Sequence, residues 1–448
     1  MKMKLLLASL IIILFTIQVM GQVVISLPQA IHDALNNRQN IQAVKLNNAI
    51  IKLQTEALYK KYFPQISLDY TYQYNPILQS SILPIGKFNT IAPTDATERI
   101  QIGTTWSQTA GITAIEPLLD FNIKKQIAES RLQEKISLAV LAQTEYELVY
   151  EVTKAYINIW IQEQQIQSAA IDSARTWVSF KLQKDKFETG KLLKSDLNKA
   201  VINHNNVKQK VSDAVSQVVE NKVYLMFLIG QPLSEKNDID IDTGFFKKEI
   251  LSSFEKRTIT DSIPELEQFR LQKELTIIQK ESEKTKYLPI VNLKGFLGAN
   301  QYTSHFNPVE SNSWFGYGYL ALVAKLPLSI GEDKQKKLEQ LQIQSEQYDK
   351  QRIDKTKQYT QEAITAKLEI SRLQNQMNNL QENLRLSQES LGIIQNRVLA
   401  GQETASYLNT EELELQRIAT DYANIQKQTW LYWLNYLKAS GLLKELWK

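Results

Sequence analysis

The sequence has no cysteine, only three histidines, and few chain breakers: 15 glycines and 11 prolines in 448 residues. Without cysteine there are no disulfides, thiolate metal sites or cysteine nucleophiles, and His32, His204 and His305 are too scattered to gather around zinc. The shortage of glycine and proline predicts long uninterrupted elements. A dominant charge is missing too. The 52 basic and 48 acidic residues leave a net charge of +4, which argues against nucleic acid as a partner. No nucleophile and base are spelled near one another, and the neighbouring carboxylates of Glu411 and Glu412 would point in different directions on a helix. No catalytic, cofactor-binding or metal-binding residue is expected, and an enzyme is the least favoured class.

What is present begins with MKMKLLLASLIIILFTIQVMGQ, two lysines, an apolar run from Leu5 to about Val19, and a small residue, Gly21. This reads as a cleaved export signal over residues 1–21. The run falls short of the about 20 residues that a spanning helix needs.

The remainder is one unit written twice. KYFPQISL around Pro64 answers KYLPIVNL around Pro289, Pro117 answers Pro327, and Gly190 answers Gly401. A Leu-Asn pair follows each glycine at the same distance, Leu197-Asn198 and Leu408-Asn409, and Gly230 and Gly441 close the two units in step. The expected domains are a first repeat over residues 22–230, a linker or equatorial segment over 231–263, and a second repeat over 264–448. Each repeat reads helix, strand, strand, very long helix, glycine turn, helix. The recurring proline phrase marks the junction from helix to strand, because proline removes a backbone donor and biases the preceding residue toward extended backbone.

Strands are expected at about 65–75, 100–116, 290–300 and 314–326. After Pro64, Ile66, Leu68, Tyr70, Tyr72 and Tyr74 share one face and Gln65, Ser67, Asp69, Thr71 and Gln73 the other. In the second strand Ile100, Ile102, Trp106, Ala110, Ile112 and Ala114 keep register against Gln101, Thr105, Ser107, Thr109 and Thr113. A half-buried strand of a soluble protein gives this alternation too, but the length and the aromatic residues toward one end fit a lipid-facing wall. The lipid-facing set is Ile66, Leu68, Tyr70, Tyr72, Ile102, Trp106 and Ile112. Residues 314–326 are apolar on both faces, and their inward face is left open. The segments 75–100 and 301–313 read as loops at the barrel mouth.

The helices carry a heptad rhythm. Leu373, Met377, Leu380, Leu384, Ser387, Leu391, Ile394 and Val398 form one seam, continued beyond Gly401 by Leu408, Glu411, Leu415, Ile418, Tyr422 and Ile425. The first repeat matches with Leu193, Leu197, Ala200, His204, Val207, Val211, Ala214 and Val218, which places His204 in the seam as a core histidine. Two such helices around a glycine turn make an antiparallel hairpin. The helix period runs for about 65 residues before each turn, which is roughly 100 Å at 1.5 Å per residue. Trp430, Tyr432, Trp433 and Tyr436 read as helix packing in preference to a ligand box.

Lipid demands a closed barrel, and one chain offers only four strands. Several copies must pool them, and a trimer would supply about twelve, within the range of known barrels. The fold class is therefore mainly α with a small membrane β-barrel contribution.

The export signal, the tandem units, the proline-led strand entries and the glycine turns followed by DLNKA and YLNTE resemble the TolC family of outer-membrane efflux proteins. The resemblance covers nearly all of the chain after Gln22. It implies a homotrimer with a twelve-stranded β-barrel in outer-membrane lipid, an α-helical barrel reaching through the periplasm of a Gram-negative cell, and docking to an inner-membrane pump through a periplasmic adaptor. The implied function is passive passage of substrates from that pump to the outside. Adaptor contact would fall at Gly190, Lys191, Gly401 and Gln402. Asp196 stands where the family commonly has an aspartate after the first turn. The second turn departs from the family pattern, with Tyr407 and Thr410 at the positions of the acidic ring and Glu403 replacing a basic residue. The tip gate candidates are Lys194, Asp196, Lys199, Glu403, Tyr407, Thr410, Glu411 and Glu412, and attraction between the lysines of the first turn and the glutamates of the second would latch the tip. The alternative function is a non-conducting periplasmic coiled-coil scaffold or adaptor, which would use the same hairpins.

Overall fold

The computed structural model describes residues 23–85, 93, 95–233, 239–246, 263–307, 314–327 and 332–446. The export signal and most of the segment between the repeats lie outside these residues. In chain order the elements are β1 (Val23–Ile25), α1 (Leu27–Asn37), α2 (Gln39–Tyr59), β2 (Gln65–Tyr74), β3 (Gln79–Leu83), β4 (Glu98–Ile102), β5 (Trp106–Leu119), α3 (Phe121–Glu188) and α4 (Lys194–Leu228). They continue with β6 (Ile239–Ile241), α5 (Pro264–Thr285), β7 (Ile290–Thr303), β8 (Trp314–Lys325), α6 (Glu332–Leu399) and α7 (Ala405–Ala439). The duplication is exact in the hairpin helices: α3 and α6 have 68 residues each, and α4 and α7 have 35 each.

Both hairpin turns end their long helix in the same way. Lys191 N–H donates to the Lys186 carbonyl at 2.8 Å, and Gln402 N–H to the Arg397 carbonyl at 2.8 Å. In each case glycine takes the left-handed backbone this closure requires, Gly190 at φ 72° and Gly401 at φ 75°. Gly230 and Gly441 repeat the device after α4 and α7, with φ of 71° and 77°. The Thr404 hydroxyl caps α7 by accepting from Tyr407 N–H at 3.2 Å.

The chain divides into two units. One comprises residues 1–47, 138–270 and 350–448, and the other residues 48–137 and 271–349. The first unit holds the main core. Tyr146, Val149, Val152, Tyr156, Ile157 and Ile159 of α3 are buried with Leu225 and Met226 of α4 and Trp433, Leu434 and Leu437 of α7. Trp160 stacks on Phe246 at 4.0 Å between ring centroids and meets Trp430 edge-on at 5.8 Å. The C-terminal aromatics are thus packing residues. Parallel β1 and β6 lie against this core, and the buried Tyr156 hydroxyl sits 2.9 Å from the Ile25 carbonyl and 2.8 Å from that of Asp242.

The second unit holds an antiparallel sheet of order β2-β5-β7-β8 and a separate hairpin of β3 and β4. The expected single strand over 100–116 therefore divides. Gly103, at φ 107°, turns the backbone, so that β4 pairs with β3 while β5 enters the sheet. Pro117 does not end its strand, which runs on to Leu119 through a register irregularity. It is tolerated because β2 pairs only as far as Ile115, which leaves that side of β5 free of a ladder at Pro117. Among the described residues no helix is long and apolar enough to cross a membrane.

Candidate functional site: sheet faces and hairpin turns

Cross-strand pairing assigns every sheet residue to a face, since directly opposed residues point the same way. One face carries Ile66, Leu68 and Tyr70 of β2, Ile112 of β5, Leu293 and Leu297 of β7, and Leu320 and Leu322 of β8. Leu68 is 83% exposed, Leu297 73% and Leu320 81%. The other face carries Ser67, Asp69, Thr71, Thr109, Lys294 and Asn300. Pairing also resolves β8, placing Phe315, Tyr317, Tyr319, Val323 and Lys325 with these polar residues.

Three of the residues expected to face lipid are placed differently from the rest. Ile102 belongs to β4, outside the four-stranded sheet. Tyr72 and Trp106 lie on the apolar face but stack on each other at 5.2 Å, with Phe306 edge-on to both. Beside them the same face holds buried Gln108, whose amide donates to Gln301 Oε1 at 2.8 Å and to the Asn307 carbonyl at 3.2 Å, while the Tyr70 hydroxyl donates to its Oε1 at 2.7 Å. At this end the sheet is covered by its own loop.

The polar face contains an aromatic cluster that the alternation did not reveal. Phe296 lies across Gly111 and Gly298, and a Cβ built at Gly111 would come within 2.4 Å of its ring. Tyr317 and Tyr319 flank Phe296 at 4.9 and 5.8 Å. The glycines are the sequence signal: a strand glycine marks a place where something approaches closely.

Among the described residues the outer strands β2 and β8 each have one ladder edge without a partner. Such edges are open to pairing with another copy.

In the first unit the hairpin turns carry most of the other candidates. No Cβ-sized contact lies near Gly190 or Gly401, and Lys191 and Gln402 are exposed. Lys199 Nζ reaches Asp196 of its own helix at 3.3 Å and Ser406 Oγ at 3.4 Å. Glu403 approaches Arg397 at 3.9 Å, and Lys194 Nζ stands 5.0 Å over the Phe187 ring. Tyr407 and Thr410 begin α7, the Thr410 hydroxyl donating to the Ser406 carbonyl at 3.1 Å. Among the described residues no ion pair links a lysine of the first turn to a glutamate of the second.

Glu412 is a further correction. It is fully buried, while Glu411 is half-buried, so the seam passes through Glu412. In the first repeat Asn203, 5% exposed, likewise takes the place expected for His204. His204 instead packs beside Trp177, with its Nδ1 3.2 Å from the Thr176 hydroxyl. Asn203 Nδ2 donates to Glu412 Oε2 at 3.2 Å. Gln183 Nε2 donates to Asn409 Oδ1 at 3.0 Å. Arg175 Nε, Gln183 Oε1, Asn203 Oδ1, Asn409 Nδ2, Glu412 Oε1 and Gln416 Nε2 are buried without a protein partner. Burial pushes the Glu412 carboxyl up to about 7 against the opposing pull of Arg175. Among the described residues no group of three or more potential metal ligands forms.

Residues 30–231 match a family described as outer membrane efflux protein. No curated protein matches the sequence. The fold is similar to that of the outer membrane protein VceC from Vibrio cholerae, with a TM-score of 0.74 at 14% identity over 93% of this chain and 96% of the other. It is also similar to the CmeC outer membrane channel of Campylobacter jejuni, with a TM-score of 0.72 at 13% identity over 93% and 85% of the two chains. The open state of the MtrE outer membrane channel of Neisseria gonorrhoeae gives 0.67 at 15% identity over 93% and 88%.

Proposed function

We propose that the chain forms an outer-membrane efflux channel as a homotrimer, because residues 30–231 match the outer membrane efflux protein family and the fold is similar to that of solved outer-membrane channels. Three copies would pool their four-stranded sheets into a twelve-stranded barrel, joining β8 of one copy to β2 of the next. The observation that carries this reading is the sheet itself. One face exposes leucines to an extent that a water-soluble monomer rarely tolerates, and both outer edges are unpartnered. Lipid against that face and neighbouring strands along those edges answer both. The polar face then lines the lumen.

The helical hairpins would stand in the periplasm of a Gram-negative cell. Their turns, at Gly190, Lys191, Gly401 and Gln402, are the exposed points at which an adaptor and its inner-membrane pump would dock, handing substrates on for passive passage. Lys194 and Glu411 do not pair within the chain, so any latch they form acts between copies. A scaffold without conduction would use the hairpins equally well, but it has no use for the leucine face. Reconstitution into planar bilayers separates the two: the channel gives discrete current steps at a trimeric mass in detergent. Purified protein that stays monomeric and silent would remove the channel reading. Cross-linking from cysteines introduced at Gly190 and Gly401 identifies the adaptor.

A further inference from the structure

We propose that Glu412 is a protonation switch in the hairpin bundle: neutral, it lets α3, α4 and α7 pack together near the turns, and ionised, it loosens them.

The geometry comes first. Glu412 is sealed among Ser179 of α3, Asn203 of α4 and Gln416 of its own helix, all at most 7% exposed. Asn203 donates to the carboxyl, but its Oε1 has no protein partner. A neutral carboxyl suits such a place, whereas a carboxylate needs more donors than this one.

The charged groups around it do not supply that need. From α3, Arg175 donates through Nη2 to Asp172 at 2.6 Å, while its Nε is buried without a partner and does not reach Glu412. That carboxyl is itself raised by burial, against the pull of Arg175 and of Lys210 from α4. His204 of α4 faces Thr176. On α7, Glu414 binds Arg417, and Glu411 adds only negative charge. From α6, Leu391 and Ile394 pack in the same bundle, and the charged residues Glu382, Arg385 and Glu389 bind one another. An ionised Glu412 must therefore either turn Arg175 toward itself, shifting α3 against α7, or admit water, and both open the bundle.

The direction follows from linkage. The carboxyl ionises at about 7 when packed and at the ordinary 4.5 once the helices part. Ionisation thus favours separation, increasingly as the pH rises from about 4.5 to about 7, with the full effect retained above that. Between pH 5.5 and 8.5 the separated-to-packed ratio should rise roughly 30-fold.

Hydrogen exchange on the full chain in detergent tests this. Backbone amides of residues 405–420 are followed at pH 5.5, 7 and 8.5, corrected for intrinsic exchange with an unstructured peptide. We expect wild-type protection to fall by that factor as pH rises. Glu412→Gln should stay protected throughout, and so should Glu412→Leu, which serves as the second variant if the first does not fold. His204→Gln should keep the wild-type response. A flat wild-type profile, a Glu412→Gln profile that still falls, or a His204→Gln profile that becomes flat overturns the switch. The exchange response stands on the bundle alone, and only its effect on conductance rests on the channel reading. Current steps with flat exchange would sink the switch and spare the channel. A silent bilayer with pH-dependent exchange would do the reverse.

Discussion

Two residues without side chains do as much for the sheet as any with them. Gly111 and Gly298 are directly opposed, and the Phe296 ring fills the space that their missing Cβ atoms leave. A Cβ at Gly298 would stand 2.4 Å from the Ala110 carbonyl oxygen and 2.6 Å from the Gly111 Cα, so backbone would have to move. Gly298→Ala should destabilise the assembled barrel by about 1–3 kcal/mol, the usual range for overpacking. Gly316→Ala should cost much less, because its nearest neighbour lies 3.9 Å away. The temperature at which detergent-resistant oligomers dissociate on a gel ranks the two. In the other unit, Tyr156 places one hydroxyl between the carbonyls of Ile25 and Asp242, and burial raises its pKa. Tyr156→Phe leaves β1 and the turn after β6 short of a donor and should cost about 1–3 kcal/mol in denaturant titrations.

At the scale of elements, one backbone conformation serves four helix ends, yet the surroundings differ. Gly190 has open space around it, while a Cβ on Gly230 would meet the Asn37 carbonyl at 2.8 Å. Gly190→Ala should cost about 1 kcal/mol of left-handed strain. Gly230→Ala adds a backbone clash to the same strain and should unfold at distinctly lower denaturant. Those helix ends were legible because period and breaker agree there. The β3–β4 hairpin was not: Ile100 and Ile102 alternate in phase with Trp106, so periodicity runs straight through the turn at Gly103. The seam shows a second limit. Hydrophobic spacing finds Leu197, Ala200 and Val207, but the residue buried between Ala200 and Val207 is Asn203, and those buried between Leu408 and Leu415 are Asn409 and Glu412. A polar residue in a core sends no hydrophobic signal, and choosing between neighbours such as Asn203 and His204 needs the actual helix phase.

At the scale of the whole molecule, the assignment of faces decides everything else about the assembly, and β8 offers the sharpest test because both its faces are apolar in sequence. Leu320 pairs with Gly295 on the leucine face, and Tyr319 pairs with Phe296 on the polar one. If the leucine face meets lipid, Leu320→Lys buries a charge in hydrocarbon and should cost about 2–4 kcal/mol near the bilayer midplane. Tyr319→Lys places the same charge on the face of Lys294 and Lys325, in a wet lumen, where its cost should be small and its effect should appear in ion selectivity. Urea titrations of protein folded into lipid vesicles measure the first, and reversal potentials under a salt gradient measure the second. The opposite result, Tyr319→Lys failing to insert while Leu320→Lys shifts selectivity, would turn the barrel inside out. Equal tolerance of both substitutions would mean that neither face meets lipid, and the exposed leucines would then need a protein partner instead.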